Sequence, residues 1–150
     1  MKKMKHAFLI VAVLVLSGVG SQLFAEGRQG AEGLWMGEDG LAKMEVAPCG
    51  ADTICAKIVW LRDPVDARGR PLVDSNNGDA RLRKRPIIGL PVAYNMRPAG
   101  RSKWQGIVYD PKRGGSTYTG YLSLLRDGRM KVTGCLGIFC ESEYWRPAKK

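Results

Sequence analysis

Three aspartates in or beside turn-like segments are the residues best suited to chemistry: Asp74 and Asp79 in "DSNNGDARLRKRPIIGL", and Asp110 in "YDPKRGG". Two carboxylates can perform acid and base steps on a glycan. Aspartate is equally common in turns, because its side chain bonds the backbone two residues on. The only histidine, His6, lies in an N-terminal apolar segment, so the rest of the chain lacks the usual general base near neutral pH. We expect a protein that is not an enzyme, with no catalytic residue and no cofactor.

The motif from residue 74 to residue 90 also resembles two kinds of binding site, and both readings fail on order or composition. A calcium loop of the EF-hand type needs an oxygen ligand at position 5, glycine at 6 and glutamate at 12. Here these positions hold Gly78, Asp79 and Arg85. The basic residues 81–85 would attract phosphates, but no aromatic residue is interleaved for base stacking. We therefore expect neither a metal site nor a nucleic-acid partner.

The N-terminus has the pattern of a secretory signal peptide. Lysines at positions 2, 3 and 5 precede the apolar run "AFLIVAVLVL", and a small-residue stretch ends at Ala25. The run is too short to cross about 30 Å of hydrocarbon. The sequence predicts a signal peptide over 1–25, cleaved near Ala25, and one domain over 26–150. The mature protein is then periplasmic or secreted, without a transmembrane anchor.

The positive charge belongs to the exported part. Removing residues 1–25 takes three of the 24 Lys and Arg and none of the 14 Asp and Glu, which leaves 21 − 14 = +7. A net field of one sign attracts the other, so anionic envelope components are candidate partners. The same charge also serves plain solubility.

All four cysteines lie in the exported part, at positions 49, 55, 135 and 140. An even count in an oxidising compartment favours disulfides, and four cysteines allow three connectivities. Each close pair flanks a turn-like segment, which favours Cys49 with Cys55 and Cys135 with Cys140. A four-thiolate zinc site is the alternative, although neither spacing is the CxxC that zinc prefers.

Short strand-like runs follow the signal peptide, joined by tight turns. A sheet with one apolar face must bury that face, and closure removes its edges. The sequence therefore predicts an all-β fold: one antiparallel meander β-barrel of about eight strands. Residues 62–85 form a long connection without a convincing strand, which is the length of a functional lid or an Ω-loop. The predicted strands are 33–38, 41–47, 55–61, 86–96, 102–110, 116–125, 129–137 and 141–147.

Several motifs, in order, resemble the bacterial family called domain of unknown function 2147: "GLWMGEDG", "PCGADTICAKIVWL", "DSNNGDARLRKRPIIGL", "WQGIVYDPKRGGSTY", "MKVTGCLG" and "YWRP". The match spans about 33–147. The resemblance implies a small exported protein with a barrel like those of lipocalins and fatty-acid-binding proteins. Gly78 stands where the family typically has proline, which loosens that turn. The family motif maps onto Asp74, Asn77, Arg83, Arg85, Pro86 and Gly89, and a tyrosine and turn motif onto Tyr109, Asp110, Pro111, Gly114 and Tyr118.

A wider likeness is that lipocalin-type barrels begin with Gly-x-Trp and place an arginine of the last strand over that tryptophan. Gly33-Leu34-Trp35 and Arg146 suit this arrangement. A guanidinium over an indole contributes about 0.5–2 kcal/mol. We expect Trp35 and Arg146 to be in contact and structural.

The leading hypothesis is a binding protein that holds a small apolar or amphipathic ligand. An amphipathic ligand with an anionic head group is one such ligand. A filled barrel with a basic surface, acting as an envelope interaction or structural protein, is the alternative, and a carboxylate hydrolase is the third. For residues 74–85 there is also a structural hypothesis. Asp74 or Asp79 can pair with Arg83 and Arg85 and so hold the long connection against the barrel. The predicted ligand-binding residues are Trp60, Asp74, Asn77, Arg83, Arg85, Tyr94, Trp104, Tyr109 and Tyr118, with Met96 as a further cavity residue.

Overall fold

The computed structural model describes residues 30–150 as one closed antiparallel barrel. The predicted signal peptide, 1–25, lies outside the described residues. The strands run in chain order around the barrel, and a single 3-10 turn, Ala80–Leu82, interrupts the connection between the third and fourth. The strands are β1 (Gly33–Met36), β2 (Ala42–Pro48), β3 (Ile54–Leu61), β4 (Pro91–Pro98), β5 (Lys103–Asp110), β6 (Ser116–Leu124), β7 (Met130–Leu136) and β8 (Phe139–Pro147).

Closure comes from a short pairing between β1 and β8. Trp35 lies opposite Pro147, and Met36 lies opposite Arg146. The predicted eight-stranded meander is confirmed. The predicted contact between Trp35 and Arg146 is wrong, because alternation puts Arg146 on the exposed face while Trp35 is buried and donates from its indole nitrogen to the Ala31 carbonyl at 2.8 Å.

The fourth strand begins five residues later than predicted. Backbone N–H groups of residues 86–90 bond to the long connection and to β3. Ile87 N–H donates to the Leu72 carbonyl, and Gly89 N–H donates to the Ile58 carbonyl. Ile88 is exposed rather than inward-facing. Alternation over 86–96 would also turn Tyr94 inward. The register shifts on both sides of Tyr94, between Pro91 and Ala93 and at a bulge that includes Asn95, break this alternation.

The barrel interior has two unequal halves. At the end where β2, β4 and β6 finish, large apolar side chains fill the space, and Ala31 of the N-terminal segment joins them. At the other end, the inward side chains leave an open volume. The filled half contains Val46, Ile54, Met96, Trp104, Leu122 and Met130.

Both local disulfides are confirmed. Cys49 bonds Cys55 across the turn between β2 and β3, and Cys135 bonds Cys140, its partner in the ladder between β7 and β8. The zinc alternative is therefore wrong, because no thiolate remains. Across residues 30–150, we find no helix whose length and apolar character would suit a membrane crossing.

We expect Gly106→Ala to lower the free energy of unfolding by about 1–3 kcal/mol. A Cβ at this position would lie 2.6 Å from the carbonyl oxygen of Asn95, where the β4 bulge presses on β5. Gly78→Ala is the matched control, since its Cβ would meet no atom within 4 Å. Denaturant unfolding of the two variants tests this, and equal stabilities would contradict it.

Candidate ligand-binding site

The open half of the barrel holds a cavity of about 550 Å³. Its wall is built from inward side chains of seven strands, at the end where β1, β3, β5 and β7 finish. This wall is apolar and aromatic, as expected for side chains that alternate inward from a pleated sheet. The lining side chains of the wall are Met44, Ile58, Val92, Val108, Tyr118, Val132 and Trp145.

Charged side chains surround the mouth of this cavity, and most form pairs. Lys112 pairs with Asp39 at 2.5 Å, and Arg113 pairs with Glu141. Burial raises the pKa of Asp39, but hydrogen bonds from Lys112 and from the backbone of Leu41, with the nearby positive charges, outweigh it and lower the pKa. Asp39 is therefore ionised at neutral pH.

Glu143 lies deeper, on the same face of β8 as Trp145, and its carboxylate accepts a hydrogen bond from that indole N–H. The ion pairs among the described residues do not include Glu143. Four carboxylates and two cations line the cavity, so its charged groups sum to −2 in a basic protein.

A second cluster lies against the outside of the barrel wall and is buried by the long connection. The Asp74 carboxylate has no exposed surface; it accepts hydrogen bonds from the Tyr109 hydroxyl at 2.6 Å, from Asn77 Nδ2 at 2.9 Å and from Arg85 Nε at 2.8 Å. The Arg85 guanidinium also lies 5.0 Å from the centre of the Tyr109 ring. We call Asp74, Asn77, Arg85 and Tyr109 the clasp.

The clasp is tied to the backbone as well. Asp74 N–H donates to the Arg85 carbonyl, and Arg83 Nε donates to the Asn77 carbonyl at 2.7 Å. Gly115, in the turn after β5, allows the connection to approach, since a Cβ there would lie 2.5 Å from the Asn77 Cα. These bonds hold residues 74–85 against β5.

Hydrogen bonding sets the ionisation of the clasp. Burial, the largest single effect, raises the pKa of Asp74, but the bonds from Tyr109, Asn77 and Arg85 together outweigh it and bring the pKa below its ordinary value. Burial and the bond to Asp74 raise the pKa of Tyr109, so the phenol remains a donor at neutral pH. The clasp is a buried ion pair whose polar groups are satisfied.

The structure divides the predicted ligand-binding residues among six places: the cavity, the clasp, the filled half, the outer surface, the long connection and an outer hollow. Only Tyr118 and Tyr109 line the cavity, and Tyr109 also belongs to the clasp with Asp74, Asn77 and Arg85. Trp104 is buried in the filled half, as is Met96. Trp60 is on the outer surface beneath Lys43, whose ammonium lies 5.3 Å from its ring. Arg83 is bonded to the connection, and Tyr94 borders an outer hollow with Arg85.

Arg83 and Arg85 are two residues apart, which would put them on one face of a strand, but neither lies on a strand. Arg83 caps the 3-10 turn in a helical conformation, and the strand begins only at Pro91. The clasp hypothesis is the one that the geometry matches, with Asp74 as the partner of Arg85; Asp79 pairs instead with Arg81.

Sequence reasoning missed Glu141 and Glu143 as cavity residues. Both lie at even spacing before Trp145, so period-two alternation within the predicted last strand places them on its inward face. Their charge hid this signal, because an acidic residue on a strand is more often exposed.

Eight antiparallel strands in meander order, closed around a blind cavity with one open end, define a lipocalin-like barrel. The chain belongs to the bacterial family described as "Uncharacterized protein conserved in bacteria (DUF2147)", whose profile matches residues 33–146.

A solved structure supports the same fold. The Helicobacter pylori protein HP1028, described as belonging to the lipocalin family, aligns with a TM-score of 0.64 and 17% identity, over 79% of this chain and 82% of that one. No curated protein matches the sequence.

We expect Asp74→Asn to lower the free energy of unfolding by about 3 kcal/mol at neutral pH, because it leaves Arg85 without its buried partner. Asp127→Asn is the control: Asp127 pairs only with exposed groups of its own turn, so its loss should be much smaller. Denaturant unfolding measures both, and equal losses would show that the clasp is not a stabilising unit.

The Asp74 contribution should also depend on pH. Because folding lowers this pKa, the stabilisation is complete above the unfolded value of about 3.9 and is lost as pH falls further. The stability difference between wild type and Asp74→Asn should therefore be constant from neutral pH down to about pH 5 and shrink below about pH 4. A difference that persists undiminished in acid would contradict the ionised clasp.

Proposed function

We propose that this protein binds a small apolar or amphipathic ligand inside the open half of its barrel. The carrying observation is the cavity of about 550 Å³ walled by inward apolar and aromatic side chains. Small-molecule sites have volumes of about 300–1,000 Å³ and mainly apolar walls with a few polar groups. The two disulfides are compatible with an extracytoplasmic setting, and we propose that the protein works there.

The charged groups at the mouth favour a neutral or cationic polar end on that ligand. Lys112 and Arg113 are engaged by Asp39 and Glu141, whereas Glu143 faces the cavity with only the indole of Trp145 as its partner. Glu143 is exposed, so its carboxylate would repel an acidic head group through a solvent-screened charge. The arginines expected to receive such a group, Arg83 and Arg85, are engaged in the connection and the clasp.

The alternative, an envelope protein with a filled barrel, is less well supported. Only half of the interior is filled by side chains. An unfilled apolar volume lowers the free energy of unfolding, so a barrel that only supported a surface would be more stable if it were filled. The basic surface remains available for anionic envelope components in either case.

We also propose that the protein is not an enzyme. The oxygens of Asp74 are occupied by the Tyr109, Asn77 and Arg85 donors, and Asp110 lies 3.6 Å from the Arg113 guanidinium. Asp79 pairs with Arg81, so all three aspartates that could serve hydrolysis have partners within the protein. A turnover that disappears in Asp110→Asn, with the fold intact, would overturn this assignment.

A series of three alkyl compounds of equal chain length, ending in an amine, an alcohol or a carboxylate, tests the ligand class. We expect the amine and the alcohol to bind and the carboxylate to bind about tenfold more weakly, which corresponds to about 1.4 kcal/mol. Isothermal titration calorimetry measures the affinities. Glu143→Gln should reduce the preference for the amine over the alcohol, since it removes the unpaired charge without changing the shape.

A cavity-filling substitution tests the location. Val132 is buried and lines the cavity, so Val132→Phe should abolish binding of all three compounds while leaving the thermal unfolding midpoint near that of wild type. Val65→Phe, at an exposed position of the long connection, is the matched control and should bind normally. Retained binding in Val132→Phe would place the ligand elsewhere. A solidly packed interior, with no molecule detected by native mass spectrometry or lipid extraction, would overturn the proposal.

A further inference from the structure

The hairpin between β7 and β8 ends in a convex apolar tip. Leu136, Ile138 and Phe139 have 69%, 90% and 77% of their surface exposed, the largest exposures among the exposed large apolar residues of 30–150. They are consecutive except for Gly137, and the turn between the strands is only two residues long. Exposed apolar groups clustered in this way mark an interaction site. We call these three side chains the apolar tip.

The apolar tip is held in a fixed shape. Cys135 and Cys140 are opposite each other in the ladder and are joined by a disulfide immediately below the turn. The disulfide therefore keeps the two strands together one pair below the turn, so that the hairpin cannot open beyond Leu136 and Phe139. A turn that only connects two strands needs no disulfide beneath it. The cross-link therefore indicates that the shape of this hairpin end matters.

The position of the tip relates it to the cavity. Leu136 and Phe139 also line the cavity mouth, so whatever covers the tip covers the entrance. Connections at the same end of the barrel, 37–41, 62–90, 111–115 and 137–138, carry nine Lys and Arg and six Asp and Glu, and the carboxylates of Asp110, Glu141 and Glu143 at the cavity mouth balance that excess. The tip is thus an apolar projection on an end where basic and acidic groups are mixed.

We infer that the apolar tip inserts into the interface of a lipid bilayer and brings the cavity mouth to the membrane surface. Three side chains at the end of one hairpin are far from the area of about 800 Å² per partner that a stable protein interface requires. Shallow insertion needs only a few apolar groups, about 5–10 Å deep. The inference adds a docking surface to the proposed binding function but does not depend on it, since the tip is apolar whether or not the cavity is occupied.

Vesicle flotation of the purified protein tests the inference, with vesicles of phosphatidylcholine alone or mixed with phosphatidylglycerol. We expect binding to both kinds of vesicle, because insertion of the apolar tip does not require an acidic headgroup. Ile138→Ser combined with Phe139→Ser should weaken binding to the mixed vesicles by about tenfold or more, because each side chain would otherwise be removed from water. Ile88→Ser is the matched control: Ile88 is an exposed isoleucine just before β4, which is remote from β7 and β8 in strand order, and binding should be unchanged.

Two further results would overturn the inference. Equal flotation of wild type and the tip variant would assign any binding to surface charge alone. Self-association in analytical ultracentrifugation that the tip substitutions abolish, without vesicle binding, would assign the tip to a second copy of this chain. Phe139→Trp provides a second readout: relative to wild type with its four tryptophans, the added fluorescence should shift to the blue and be quenched by bromine-labelled lipid. The alkyl series should bind the tip variant as it binds wild type, which separates failure of this inference from failure of the proposed function.

Discussion

Closure of the sheet is the constraint on which the other features depend. One apolar face of an antiparallel sheet must leave water, and with no helical layer in the described domain the sheet buries this face by curving until β8 pairs with β1. Eight strands enclose an interior that side chains can just fill. This chain fills only the end containing Trp104 and Met96, and places smaller side chains such as Val108 and Val132 at the other. The cavity therefore follows from the distribution of side-chain volume along the strands.

The clasp solves a problem that the long connection creates. A segment of 29 residues between β3 and β4 has few ladder bonds of its own, and it needs anchors to keep one conformation. Asp74 supplies one anchor by collecting Arg85, Asn77 and the Tyr109 hydroxyl, so that an outward residue of β5 becomes buried. The same bonds occupy the groups that looked most suited to chemistry. In the structure these residues anchor the long connection, and the volume inside the barrel is where we propose that a ligand binds.

The features of one end of the barrel form a consistent set. The cavity opens where the apolar tip, the paired charges of the mouth and the long connection meet. An apolar molecule moving between a bilayer and the cavity would cross little water if the tip were inserted, because Leu136 and Phe139 belong to both surfaces. The disulfide fixes the end of the hairpin between β7 and β8, and the clasp fixes the long connection against β5.

Local patterns in the sequence determined much of this protein. Period-two alternation and turn residues were enough to predict eight strands in meander order, and the close cysteine spacings were enough to predict both disulfides, because these interactions join neighbours along the chain. Alternation also held the signal for Glu143, which its charge obscured. Only the tertiary structure decided that Tyr109, Asp74 and Arg85 are in contact. It also decided that Tyr94, next to the bulge at Asn95, faces outward. Finally, it decided that Arg146 does not lie over Trp35. Those outcomes depend on the register of strands far apart in sequence and on how a long connection folds back, and a shift of one residue in either exchanges the inside of the barrel for the outside.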